Sequence, residues 1–436
     1  MKNALNFLIE ANKLKEMPRT GWVLMQVKNP ESIACHTFRL AITAWLMSEK
    51  AGLNVERAIK IALFHDLGEV YTGDVTPFGY YQGLSRKKKK DEKLLMKWVR
   101  LSRNEKEKRA KVKFKREKKA FLKLTGSLET KLKNEIYSHW YDNEKRISKE
   151  AKFVRQLDRI EMLLQSIEYF GSDKNTGGTS WWEGTEEVVE DPLLLDFLAV
   201  IKRKLYRRYR RIFGEKIKVS KYFKKREKEL TNILEFLLEI GKLKHMPRLY
   251  WTIRDVKKPE TVASHIFTLS LMAWLFGSPK KRTYNTEKLL KMALVHEISA
   301  VYTGDSTPYD RILSKSKGKE KKILKKWPRL SRKEKMRKYI EDFKKERKAF
   351  KRLSSRLRGP SGKEIFNLWH EYRTRSNAEG RFLSQLNVMA VLLQALLYEK
   401  KKKKFSAIPI WEWAFEVSDN EINFKLMDEM KKKFYK

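Results

Sequence analysis

Apolar side chains along this chain recur three and four positions apart and strict alternation is rare, so the pattern predicts helices almost throughout. Leu5, Leu8 and Ile9 open the series, and Ile33, Leu40, Ala44 and Trp45 continue it. Ala58, Ile59, Ala62 and Leu63 then lead into FHDLGEVYTGDVTP, from Phe64 to Pro77. Pro30 and Glu31 read as a helix start and Gly52 as a stop. Two basic tracts, Arg86 to Lys119 and Lys315 to Lys348, keep helical spacing, the first through Leu94, Leu95, Met96, Trp98 and Phe114. They read as long helices with solvated faces. GSDKNTGGTS, from Gly171 to Ser180, reads as a loop.

The pattern is written twice. LKEMPRTGW (Leu14 to Trp22) returns as LKHMPRLYW (Leu243 to Trp251), and ESIACHTFRL (Glu31 to Leu40) as ETVASHIFTL (Glu260 to Leu269). The Phe64 motif returns as VHEISAVYTGDSTP (Val295 to Pro308), and RQLDRIEMLLQ (Arg155 to Gln165) as SQLNVMAVLLQ (Ser384 to Gln394). A repeat of this length makes two tandem all-α units, 1–218 and 219–436. Their join is expected within Tyr206 to Lys228, a basic stretch of weak apolar pattern, near Val219.

Composition changes the picture in one respect. Lys and Arg number 98 against 54 Asp and Glu, a net charge of +44, in a chain that is 41% hydrophobic. So apolar a chain folds, and its positive surface favours anionic partners: nucleotides, a nucleic-acid backbone or an anionic membrane. A Lys-rich surface suited to a hot or salty habitat gives the same charge. Cys35 is the only cysteine, which excludes an intrachain disulfide and a thiolate metal site and fits a reducing cytoplasm. No apolar run is expected to approach the roughly 20 residues of a membrane span.

His65, Asp66 and Glu69 stand at i, i+1 and i+4, a spacing that on a helix puts His65 and Glu69 on one face with Asp66 beside them. Imidazole and carboxylate together suit Zn, Mn, Fe, Co or Ni better than calcium. A His-Asp pair at a helix end is also a common surface feature. Asp158 sits close to the apolar face of Val154, Leu157, Ile160, Leu163 and Leu164, where an ionised carboxylate needs a metal or an ion pair with Arg155 or Arg159. His36, in an apolar helix, suits either a hydrogen-bonded core or a ligand. Gly73 before Asp74 fits a turn that folds the carboxylate back.

The series His36, His65 with Asp66, and Asp158, set in ESIACH, HDLGEVYTGDVTP and RQLDRIEMLLQ, resembles the HD-domain phosphohydrolases, and within them the branch of 5′-deoxynucleotidases. That resemblance implies an all-α domain in which His36, His65, Asp66 and Asp158 bind one divalent cation of Co, Mn, Mg, Ni, Zn or Fe. It implies that Glu69 and Asp74 handle the attacking water and the proton, that Arg19 meets the phosphate and that Trp22 lies near the sugar. Arg19 is chemically suited to that task, whereas Trp22 is equally well read as a core aromatic. Cys35 stands where the family often has a polar residue.

In the second copy His265 and His296 keep the imidazoles, but Asp66 becomes Glu297, Glu69 becomes Ala300 and Asp158 becomes Asn387, while Asp305, Arg248 and Trp251 are retained. The expected function is metal-dependent release of phosphate from (deoxy)nucleoside 5′-monophosphates by the first copy. The second would be structural or regulatory, making a pseudo-dimer within one chain. The alternatives are hydrolysis of a nucleoside triphosphate or alarmone, and basic nucleic-acid binding in which Trp98, Phe114 and Trp327 stack on bases.

Overall fold

A computed structural model describes residues 1–76, 102–170, 178–205, 219–277, 284–313, 318, 320–357, 359–402 and 405–435. Among them every regular element is a helix, and the extended pairings are two isolated antiparallel bridges, Pro18 with Ser32 and Pro247 with Thr261. The bridges fall at equivalent places in the two repeats, where the chain turns between the Arg19 or Arg248 loop and the helix that follows.

The helices that position the sites are, in chain order, α1 (Lys2–Ala11), α2 (Ile33–Ala51), α3 (Val55–Phe64), α4 (Arg103–Thr125), α5 (Lys149–Phe170), α6 (Phe223–Gly241), α7 (Val262–Gly277), α8 (Thr286–Val295), α9 (Arg332–Leu357) and α10 (Ala378–Lys401). Their limits follow from local chemistry. Ser32 caps α2 by accepting from the Cys35 amide at 3.3 Å, and Gly52 ends it in the left-handed region at φ 66°. Asn54 caps α3 through the Arg57 amide at 2.9 Å, and Asn285 caps α8 through the Lys288 amide at the same distance. Ser102 and Glu105 form a capping box that opens α4.

The chain divides into two compact units, one of residues 13–241 with a short piece beginning at Arg356, the other of residues 1–12 with 242–355 and 359–436. These bounds differ from a cut between 218 and 219. The reason lies in α1 and α6, the first helices of the two repeats, each of which is built into the unit formed by the other repeat. In the first unit Gly241, at the end of α6, lies so close to Arg39 and Glu168 that a Cβ there would come within 2.6 Å of the guanidinium. In the second unit α1 sets Phe7 against Trp274, ring centroids 6.1 Å apart, and Asn12 accepts from the Thr268 hydroxyl at 2.9 Å. Arg39 and Thr268 occupy equivalent positions, as do Gly241 and Asn12. The large residue is matched by glycine and the small one by asparagine, so each exchanged helix fits the core it enters.

Three local expectations change. The helix ahead of the Phe64 motif stops at Phe64, residues 65–68 turn, and a short helix Glu69–Thr72 follows, so His65 and Glu69 do not share one continuous helical face. The turn instead brings Asp66 and Glu69 to one cleft, with His65 beside Asp66 at 2.9 Å. Within the expected loop Gly171 to Ser180, residues 178–180 already belong to a helix, Gly178–Glu186, and residues 171–177 lie outside the described residues. Within the expected join, 206–218 also lie outside them, while Phe223 to Lys228 form the first turns of α6. Trp98, Pro77 and the start of the first basic tract fall outside as well, and the tract from 103 onward is helical as expected.

One helix, α10, is by length and composition apolar enough to cross a membrane, contrary to the expected absence of such a run, and 83% of that window is buried. It is a core helix of the second unit. The aromatics of the basic tracts have intramolecular partners: Phe114 stacks on Trp140 at 5.6 Å and Trp327 on Trp413 at 4.8 Å.

Candidate metal centre and substrate cleft

Three elements of the first unit deliver the expected ligands. α2 carries His36, fully buried; the turn after α3 carries His65 and Asp66; and α5 carries Asp158, 7% exposed. Ligand atoms of His36, His65 and Asp66 lie within 4.8 Å of one another, and Asp158 Oδ1 lies 3.1 Å from His36 Nε2. Each imidazole is turned by a partner on its far nitrogen. His36 Nδ1 meets the Glu161 carboxylate, and His65 Nδ1 lies 2.8 Å from the Ala62 carbonyl. The near nitrogens face carboxylates without hydrogen-bond geometry: His36 Nε2 lies 3.1 Å from Asp158 Oδ1 and His65 Nε2 lies 2.9 Å from Asp66 Oδ2, with both nitrogens and Asp158 Oδ1 buried. Buried polar atoms are rarely left so, and three of them converging beside Asp66 fit a divalent cation, its histidines oriented from behind as such sites require.

Glu161 and Arg39 sit inside two of the repeated motifs but carry no expected role, yet together they set His36. The Arg39 guanidinium donates to Glu161 at 2.8 Å, to Glu168 at 2.7 Å and to Gln165 at 3.0 Å, all from inside the core. The signal for them is polar residues inside apolar helices, replaced in the second copy by Ala390 for Glu161 and Thr268 for Arg39.

The charges act on one another strongly. Burial and Arg19 work against the His36 imidazolium, but Glu161 and Asp158 outweigh them and raise it to about 9; a metal at Nε2 would displace that proton. Burial opposes ionisation of Asp66 and Asp158, yet His65 and Arg19 hold the first, and His36 and His65 the second, well below the usual carboxylate range. Glu69 goes the other way. Burial, then Asp66 and Asp74, push its carboxyl well above the ordinary value, and its Oε2 is buried without a partner.

Over this centre opens a cleft of about 700 Å3, its mouth included, walled by Arg19, Asp66, Glu69 and Asp74 on one side and by Lys113, Arg155 and Arg159 on another. Arg19 reaches Asp66 at 2.9 Å and lies 3.8 Å from Asp74. The Asp74 carboxylate folds back after Gly73, whose φ is 73°, and accepts from the Thr20 amide at 2.7 Å. Trp22 borders the cleft but is 2% exposed, with its indole N–H donated to Glu31 at 3.0 Å and its ring against Tyr169 and Trp181. Its geometry is that of a core aromatic with one edge at the cleft.

The second unit keeps the scaffold but changes the centre: ligand atoms of His265, His296 and Glu297 still lie within 4.8 Å of one another and His296 Nε2 is buried without a hydrogen-bond partner, while the position of Asp158 holds an amide. Trp251 donates to Glu260 at 2.8 Å, as Trp22 does to Glu31, and Asp305 accepts from the Leu249 amide at 2.7 Å, as Asp74 does from Thr20. Arg248 pairs with Glu297. His265 Nε2 lies 2.7 Å from Asn387 Oδ1, and the Asn387 amide donates to Tyr372 at 3.1 Å. The proton that His265 Nε2 gives to Asn387 removes the lone pair a cation would need. His296 stays neutral, burial and then Arg248 pushing it down to about 3.

Comparison with known proteins agrees. A family model described as HD domain matches residues 11–183 and again 240–412. The chain is 35% identical over 176 residues to the 5'-deoxynucleotidase HDDC2 of Xenopus laevis, covering 40% of this chain and 74% of that protein. It is 34% identical over 168 residues to 5'-deoxynucleotidase HDDC2 of Homo sapiens, covering 38% and 69%. With 5'-deoxynucleotidase hdd1 of Schizosaccharomyces pombe it shares 32% over 195 residues, covering 44% and 85%. Two matched segments, and orphaned donor atoms where the first of them gathers its histidines and aspartates, make this chain a member of the HD-domain family that carries the domain twice.

Proposed function

We propose that the first copy is a metal-dependent phosphohydrolase that releases phosphate from nucleoside 5′-monophosphates, deoxynucleotides among them, and that the second copy is structural or regulatory. The observation that carries this is the convergence of His36 Nε2, His65 Nε2 and Asp158 Oδ1, buried and outside hydrogen-bond geometry, with Asp66 at a cleft lined by both carboxylates and cations. The names of the relatives supply the substrate class.

His36, His65, Asp66 and Asp158 hold the cation, which when bound supplies Lewis acidity and a water of lowered pKa. The donor set accepts Co, Mn, Mg, Ni, Zn or Fe. Glu69, its proton affinity raised by burial and two carboxylates, takes or returns the proton of the attacking water. Asp74 anchors the Thr20 amide and faces Arg19, which keeps Asp66 in place and turns its remaining donors toward the phosphate. Trp22 and Trp181 wall the sugar side and limit water. The single cysteine suits a cytoplasmic enzyme.

The test is a phosphate-release screen over ribo- and deoxynucleoside monophosphates with each of the six metals, beside Asp66→Ala. Turnover of monophosphates that Asp66→Ala abolishes is expected. Release of pyrophosphate or triphosphate instead would replace this reading with hydrolysis of a nucleoside triphosphate or alarmone. The charge of +44 favours a second, non-specific attraction to nucleic acid, recognised by steep loss of binding with salt.

A further inference from the structure

The second copy shows which charges the scaffold itself needs. Lys60 is a structural cation, paired with Glu56 and, at 2.7 Å, with Glu135; its counterpart Lys291 pairs with Glu287 and Glu364 at 2.7 and 2.8 Å. The scaffold keeps that lysine and both partners through the duplication. Lys113, Arg155 and Arg159 behave differently. Their counterparts are Asp342, Ser384 and Val388, so one cation has reversed sign, one has become a small hydroxyl and one a buried aliphatic. All three are missing from the copy that also lacks Glu69 and Asp158, while the folding partners around them remain: Glu117 has its counterpart in Glu346, and the Ser102–Glu105 box in Ser331 and Glu334.

In the first unit these three cations come from two helices, Lys113 from α4 and Arg155 and Arg159 one turn apart on α5, and line the cleft that Asp158 enters. Lys113 lies 3.3 Å from Glu117, and Arg155 stands 4.0 Å from Asp158. The carboxylates of Asp66, Glu69, Asp74 and Asp158 line the same cleft, but Asp66 and Asp158 belong to the metal centre, so with a cation bound there the three positive side chains favour a further anion in the cleft.

We propose that Lys113, Arg155 and Arg159 form the seat of the substrate's phosphate and of inorganic phosphate after hydrolysis, a dianion-binding site that the second copy has given up. This inference rests on the phosphomonoester reading above and gives it a specificity determinant: a doubly charged terminal phosphate is favoured over a singly charged diester. Arg19, which also turns donors toward the phosphate, is retained as Arg248 and so does not by itself distinguish the two copies.

The experiment measures binding of inorganic phosphate to the full-length, metal-loaded chain by calorimetry, with the KM for a nucleoside monophosphate alongside. Arg155→Ser with Arg159→Val installs the residues the fold already carries in the second copy. The double variant is expected to weaken phosphate binding on the order of a hundredfold, about tenfold for each charge-assisted hydrogen bond removed. KM should rise in parallel, with inhibition by the uncharged nucleoside unchanged. Arg155→Lys with Arg159→Lys should recover most of the affinity, which separates the missing charge from misfolding. Wild-type phosphate affinity in the Ser/Val variant overturns the proposal. If phosphate binds through these cations but no monophosphate is hydrolysed, the seat stands and the nucleotidase reading fails; if monophosphates are hydrolysed and the variant binds phosphate normally, the reverse holds.

Discussion

Two copies of one fold, built into one chain, differ mainly at the floor and one wall of a single cleft. Both keep an arginine flanked by two carboxylates, Arg19 with Asp66 and Asp74, Arg248 with Glu297 and Asp305. Both keep the indole donated to a buried glutamate and the tyrosine hydroxyl that meets that glutamate's own amide, Glu31 with Tyr169 and Glu260 with Tyr398. Both keep a buried imidazole nitrogen outside hydrogen-bond geometry, at His65 and at His296; what only the first copy has is the Glu69 carboxylate with a buried oxygen lacking a partner, the Asp158 carboxylate beside His36, and three cations lining the cleft. Stability explains the shared set, and ligand chemistry explains the difference. The second copy has tied one of its imidazoles into a hydrogen-bonded chain, His265 to Asn387 to Tyr372, in place of the His36–Asp158 contact.

The sharpest way to break this comparison is to move residues between copies. Asp158→Asn gives the first centre the second's amide and should abolish both metal binding and turnover, read by bound-metal analysis and phosphate release. Glu69→Ala imports Ala300 and should cost about 10²- to 10⁴-fold in kcat with the metal still bound; substantial residual turnover would contradict the role assigned to Glu69. Glu161→Ala imports Ala390 and leaves all four ligands, so metal affinity should fall about 10- to 100-fold, measured by competition with a chelator. In the other direction, Asn387→Asp with Ala300→Glu should raise metal stoichiometry from one to two without new turnover, since the phosphate-facing cations are still missing. The smallest effects are structural. Asn54→Ala removes a cap and should lower stability by about 1 kcal/mol, seen as a reduced melting temperature with unchanged KM.

Acid should discriminate the units too. His296 is held at about 3 against an ordinary 6.5, so the unfolded chain binds the extra proton between those values. The stability it contributes is complete above about pH 6.5 and is lost as pH falls toward 3. Unfolding of the second unit followed from pH 7 to 4 should show this loss, and His296→Gln should flatten it.

Much of this is legible in the sequence because helical periodicity and a repeated motif are local signals. The apolar spacing predicts the helices, the duplication supplies an internal alignment, and the resemblance to the HD-domain phosphohydrolases implies that His36, His65, Asp66 and Asp158 belong together. Three things are not legible. The break after Phe64 is hidden, since His65 and Glu69 obey a helical spacing that the turn at 65–68 overrides. Arg39 and Glu161 are 122 residues apart and become partners only in the folded unit. The exchange of α1 and α6 leaves almost no local trace, because each helix is amphipathic whichever core it enters; only the matched pairs Arg39 with Gly241 and Thr268 with Asn12 betray it.

That exchange has a consequence for the order of events on the ribosome. The chain is made from its N-terminal side at roughly 5–20 residues per second, and α1, which emerges ahead of α2 to α10, belongs to a unit whose other members begin at Lys242. It must therefore wait, apolar face unsatisfied, while all of residues 13–241 are synthesised. The first metal centre cannot finish its core until Gly241 has cleared the exit tunnel, by which time the second repeat is already under way. Neither copy can mature alone, which ties the survival of the inactive one to the birth of the active one.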